Sequence, residues 1–203
     1  MAKSKDMNVV DKVQGVLRSP SSFFKSVRSE KGLKGAFVYF AVISLVSSIL
    51  NYLVNPASRG LPTVLGNAGL ALIPAMWVLG LLVSFIVYGF FHLFVMLLGG
   101  KKGYNNTYKA FAYSSTPSSL LGWIPGIFLL SGGLAGVVVF AVLMLALIVW
   151  AIYLNVKGLS VLQEMSMGRA LAALVIGVVV IVAIALVLGV LLVSALLLNG
   201  LAV

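Results

Sequence analysis

Five long apolar stretches without a charged residue, preceded by a basic arm and separated by short polar segments, restrict how this chain folds more than any other feature. A helix that crosses a hydrocarbon core of about 30 Å needs about 20 mostly apolar residues. Residues 35–54, 70–98, 110–130, 133–156 and 170–198 reach that length. With 62% hydrophobic and 9% charged residues, the chain lacks the polar surface needed to cover an apolar core in water. The β-branched run Val178 to Val180 does not argue for strands, because an open sheet edge in lipid leaves backbone groups unpaired. The expectation is an all-α polytopic membrane protein, with a polar arm over 1–34 and a compact bundle of five transmembrane helices over 35–203.

The charges orient these stretches. Eight basic residues precede the first, Lys101, Lys102 and Lys109 lie between the second and third, and Lys157 and Arg169 lie between the fourth and fifth. Only Arg59 falls on the opposite side. The positive-inside rule then predicts a cell-membrane protein with a cytoplasmic N-terminus and an external C-terminus. The alternative treats 110–130, which contains Pro117 and Pro125, as re-entrant. It leaves four crossings and a cytoplasmic C-terminus, and it spoils the division of charge. The first apolar run begins after 34 residues, beyond the basic region of a signal peptide, and reads as an uncleaved span.

A net charge of +10 also suits nucleic-acid binding, but topogenic charge accounts for it, and no nucleic acid is expected as a partner. The expected partners are the bilayer and its anionic lipids at the cytoplasmic face, each basic residue near the surface contributing about 1 kcal/mol. A protein partner or a homo-oligomer is the other candidate.

Within the arm, Val9, Val10, Val13, Val16 and Leu17 recur at helical spacing, with Asp11, Lys12, Gln14 and Arg18 on the remaining faces. Ser19 is placed to cap a second helix that has Pro20 at its first position. That helix turns Phe23, Phe24 and Val27 to an apolar phase and Lys25 and Arg28 to water. Val9, Val13, Val16, Leu17, Phe23, Phe24, Lys25 and Arg28 are therefore candidates for membrane-surface or partner binding. The same pattern equally serves helices docked on the cytoplasmic ends of the spans. The expected outer side is small: a loop over Asn55 to Gly69, and the turn Ser131-Gly132.

Inside the expected spans His92 is the sole ionisable residue. A proton relay or metalloprotease needs more groups than this, and without cysteine there is no thiolate site, so no metal, cofactor or catalysis is expected. His92, Tyr113, Ser114 and Pro117 form a candidate intramembrane polar site. Pro117 and Pro125 predict a kinked third span, with neighbouring hydroxyls recapturing the carbonyls that proline frees. Ser44, Ser47, Ser48 and Asn51 make a polar stripe suited to helix packing, and Gly122 with Gly126, like Gly132 with Gly136, has the spacing for close approach.

Leu17, Ser19-Pro20 and Phe23-Phe24 precede the first span; His92 leads into Gly99-Gly100; Tyr104 to Thr107, Ala112-Tyr113-Ser114 and Pro117 follow; Gly158-Leu159 precedes the fifth. In this order, from about Val13 to Ala173, the chain resembles the Yip family of five-span, Ypt/Rab-interacting membrane proteins, and in particular its prokaryotic-type members. The resemblance implies a compact helical bundle and a non-enzymatic role in membrane organisation, shaping or adaptor binding. Eukaryotic members carry a longer cytoplasmic region where this chain has a short basic arm. A small-solute or lipid transporter or channel using the kinked third span is the alternative, and it predicts a polar cavity between the second and third spans.

Overall fold

A computed structural model describes residues 7–54, 67–131 and 133–200, and nine helices and no strand occur among them. They are α1 (Val9–Arg18), α2 (Pro20–Val27), α3 (Lys34–Val54), α4 (Asn67–Leu97), α5 (Tyr104–Ser114), α6 (Thr116–Leu121), α7 (Ile124–Leu130), α8 (Gly133–Leu162) and α9 (Met167–Gly200). Four of them, in α3, α4, α8 and α9, are long and apolar enough to cross a membrane. Most of the loop expected over Asn55 to Gly69, with Arg59, and also Gly132, lie outside the described residues.

The apolar stretch over 110–130 is not one helix. Its first piece, α5, starts at Tyr104, and the chain breaks at Ser115 and again at Gly122-Trp123. The causes are Pro117 at the first break and Pro125 at the second, which have no N–H to give the carbonyls of Tyr113 and Leu121. Thr116 Oγ1 donates to the carbonyl of Tyr113, and Ser115 Oγ donates to the carbonyl of Ala112 at 2.8 Å. At the second break Trp123 Nε1 donates to the carbonyl of Leu120 at 2.8 Å. Ser115 and Gly122 keep right-handed backbone angles, so the segment kinks without reversing. Pro74, by contrast, sits inside α4, which runs on through it.

Packing is tight at one end of the bundle and open at the other. Val16, Phe24, Val27, Ala36, Tyr39, Tyr108, Tyr113, Leu154, Leu159 and Ala170 are buried to 1% exposure or less. These residues come from α1, α2, the first turns of α3 and α9, the second half of α5 and the last turns of α8. From Ile181 to Leu197, α9 is exposed on every face, and most of the first half of α8 is exposed as well. An apolar surface of this extent is what lipid contact requires.

The helices approach closely at Gly136, one of the glycines singled out in the sequence, and at Gly177, which was not. A Cβ on Gly136 would lie 2.2 Å from the carbonyl oxygen of Phe128, and one on Gly177 would lie 2.5 Å from the Phe91 ring. At Gly126 nothing lies within 4 Å, and the obstacle at Gly122 is the carbonyl of Ser118 in its own chain segment. The polar stripe of α3 is mostly self-satisfied. Ser48 Oγ and Asn51 Nδ2 each donate one turn back, to the carbonyls of Ser44 and Ser47 at 2.9 Å, while Ser44 Oγ meets α4 by accepting from Trp77 Nε1 at 3.0 Å.

Candidate functional site: a buried polar keystone beneath the arm

The arm is built by local signals. Asn8 and Asp11 form a reciprocal capping box that starts α1. Pro20 opens α2 at a position where its missing N–H costs nothing, and Ser19 occupies the capping position without making a side-chain cap bond. The two helices fold against each other where Gly15 makes room for Phe23. Phe24, fully buried, enters a notch between Gly158 of α8 and Ala110 of α5; a Cβ on Gly158 would lie 2.9 Å from its ring.

Beneath the arm lies a set of buried polar groups. Lys12, expected on a polar face, is only 7% exposed and pairs with Glu30 at 2.7 Å. Lys12 Nζ also donates to the hydroxyl of Tyr113 at 3.1 Å, and that hydroxyl donates to Glu30 Oε2 at 2.6 Å. Lys109, 2% exposed, donates to the backbone carbonyl of Glu30. Tyr113 is the hub: its ring meets Phe23 of α2 edge-on at 5.1 Å and Tyr39 of α3 at 5.0 Å. The Tyr39 hydroxyl in turn hydrogen-bonds Thr116 Oγ1 at 2.7 Å. One tyrosine thus joins the arm to α3 and to the kinked segment.

A second network ties the connections at the same end. His92 Nδ1 and Thr107 Oγ1 are 2.8 Å apart, and Gln163 Nε2 donates to the same Thr107 oxygen at 2.8 Å. Gln163 Oε1 accepts from the Lys102 N–H at 2.9 Å, which fixes the amide's orientation and leaves the Thr107 hydrogen for His92. At the surface, Glu164 bridges Arg28 of the arm and Lys102 of the α4–α5 loop. Glu164 holds φ of 56°, an expensive conformation for a residue other than glycine, at the turn that closes α8.

These placements divide the residues singled out in the sequence. Val16, Phe23 and Phe24 face protein; Val9, Val13 and Leu17 are half-buried; Lys25 and Arg28 are exposed. His92 and Tyr113 belong to different networks, with Thr107 and Glu30 as their respective partners. The seam between α4 and α5, where a polar path would run, is filled by rings: Phe85 stacks on Tyr108 and Tyr88 on Phe111, each at 5.0 Å. Among the described residues, no group of three or more His, Cys, Asp or Glu is placed to hold a metal ion.

Sequence reasoning missed Lys12, Glu30, Lys109, Thr107, Gln163 and Glu164. For Lys12 a signal existed, since it lies three residues after Val9 and four before Val16, on the buried face.

Compared with known proteins, residues 15–200 match the family model described as the Yip1 domain. No curated protein and no solved structure matches the chain.

Proposed function

The chain belongs to the Yip1 domain family, whose model spans residues 15–200, and from that premise we propose that it is a non-enzymatic, multi-pass membrane protein that organises the cytoplasmic leaflet through the basic end of its bundle. It crosses the cell membrane five times, the third crossing being the kinked segment α5 to α7. At about 1.5 Å per residue, Tyr104 to Leu130 extends to about 40 Å, enough for a core of about 30 Å even when bent. The N-terminus is cytoplasmic and the C-terminus external, in keeping with the charge.

The observation that carries this reading is the docked arm. Burying the apolar face of α1 and α2 in protein turns Arg18, Lys25, Arg28 and Lys31 outward. At the same end, Lys34, Lys101, Lys102 and Arg169 are exposed on the bundle itself. The exposed acids there are Asp11 and Glu164, so among the described residues the face is strongly positive. Anionic headgroups are its natural ligand, and an adaptor role follows if an acidic protein surface competes for it. This reading is preferred to a carrier because the α4–α5 seam that a solute would follow is closed by stacked rings.

The triple substitution Lys25→Gln, Lys31→Gln and Lys101→Gln tests it, because these lysines are exposed and outside the ion pairs described above. At about 1 kcal/mol per charge, removing three weakens affinity for anionic lipid about a hundredfold, so the anionic lipid retained on the purified protein in mixed-lipid nanodiscs should fall steeply. Mass spectrometry of the bound lipid reads this directly, and unchanged retention overturns the proposal.

A further inference from the structure

The seam between α5 and α8 contains two buried polar atoms that the networks above do not use. Ser114, fully buried, has no hydrogen-bond partner for its Oγ among the described residues, and Asn155 has none for its Oδ1. The neighbouring hydroxyls are spent, Ser115 on the carbonyl of Ala112 and Thr116 on that of Tyr113. Asn155 Nδ2 donates to the carbonyl of Ala151 at 2.8 Å, which fixes the amide and leaves its oxygen as the free end.

The register of the seam brings these two residues opposite each other. Gln163, just past the end of α8, bonds the carbonyl of Gly103 just before α5, so the helices run antiparallel. One turn and more into the seam, Gly158 faces Ala110, a Cβ on the glycine lying 3.3 Å from that of the alanine. Extending that register, with Gln163 against Thr107 and Gly158 against Ala110, by one further turn along each helix puts Ser114 level with Leu154 and Asn155. An unpaired buried polar group costs about 1–3 kcal/mol, and one such group from each side of the same seam at the same level is not a random failure of satisfaction.

The geometry points to a binding site for one buried water molecule between Ser114 and Asn155. The water accepts from the Ser114 hydroxyl and donates to Asn155 Oδ1, so both atoms are satisfied by one molecule that has hydrogens and lone pairs to offer. It pins the end of α5 to α8 immediately before the Pro117 kink. This inference is independent of the leaflet-binding role.

A double-substitution cycle tests it. Ser114→Ala and Asn155→Ala should each lower Tm in detergent or bicelles, and the double variant should fall no further than the worse single one, because either loss releases the shared water. A Ser114→Ala protein with unchanged or higher Tm overturns the site, since removing a dry, unpaired hydroxyl relieves a penalty. Additive losses overturn it too. An experimental structure should show a water within hydrogen-bond distance of both atoms; direct contact between Ser114 and Asn155 would contradict it.

Discussion

Glu30→Gln is expected to destabilise the protein by about 3–5 kcal/mol, the usual consequence of removing one partner from a buried ion pair. Lys12 and Glu30 have side chains only 9% and 11% exposed, so water does little to replace the lost charge. Glutamine preserves the shape but leaves the Lys12 ammonium and the nearby buried Lys109 without a compensating anion. The Tyr113 hydroxyl, which donates to Glu30 Oε2, also loses its charge-assisted bond. The double variant Lys12→Met with Glu30→Leu removes both charges and should be closer to the parent protein than Glu30→Gln is. Reversible unfolding in bicelles measures all three. A Glu30→Gln protein as stable as the parent would mean that the arm is not held by this pair.

Gly158→Leu is expected to cost about 3 kcal/mol or more and to lift the arm from the bundle. Phe24 occupies the space a side chain at 158 would take, with Ala110 closing the other side. Neither can yield easily, because Phe24 is fully buried and Ala110 sits in the middle of α5. Phe24→Ala removes the ring and should cost a similar amount by leaving a cavity. Combining the two should recover part of the loss, since leucine then fills the space that phenylalanine vacates. Protease protection of the arm, read beside thermal stability, separates undocking from general unfolding. If the arm instead lay in the leaflet, Gly158→Leu would leave its protection unchanged.

The hydrophobic effect does not choose between these two positions for the arm, because lipid hides Phe23 and Phe24 from water as well as protein does. Close packing and polar pairing decide. The notch at Gly158 fits one ring, and Lys12, Glu30 and Tyr113 satisfy one another only when the arm is down. Apolar spacing in a sequence reports that a face leaves water and is silent about which apolar phase receives it.

That limit explains what was legible. The long apolar helices follow from length and hydropathy, and residues 34–54 emerge within one residue of the expected span. Pro117, with the hydroxyls beside it, foretold a kink and the recapture of freed carbonyls, and the structure shows hydroxyls on those of Tyr113 and Ala112. The start of α5 at Tyr104 was hidden by the polar run Tyr104 to Thr107, which satisfies side chains rather than lipid. Glu30 and Gln163 carry no periodic signal, because their partners lie 83 and 56 residues away, at Tyr113 and Thr107. Gly158 is one glycine of 21, and only the neighbouring ring reveals its use.

The docked arm is the claim on which the rest depends, and it is tested most directly in a bilayer. With phenylalanine and glycine labelled, magic-angle-spinning NMR should show a correlation between the Phe24 ring and the Gly158 Cα, abolished by Phe24→Leu. A Phe24 ring that correlates with lipid acyl-chain resonances and not with Gly158 would contradict the account.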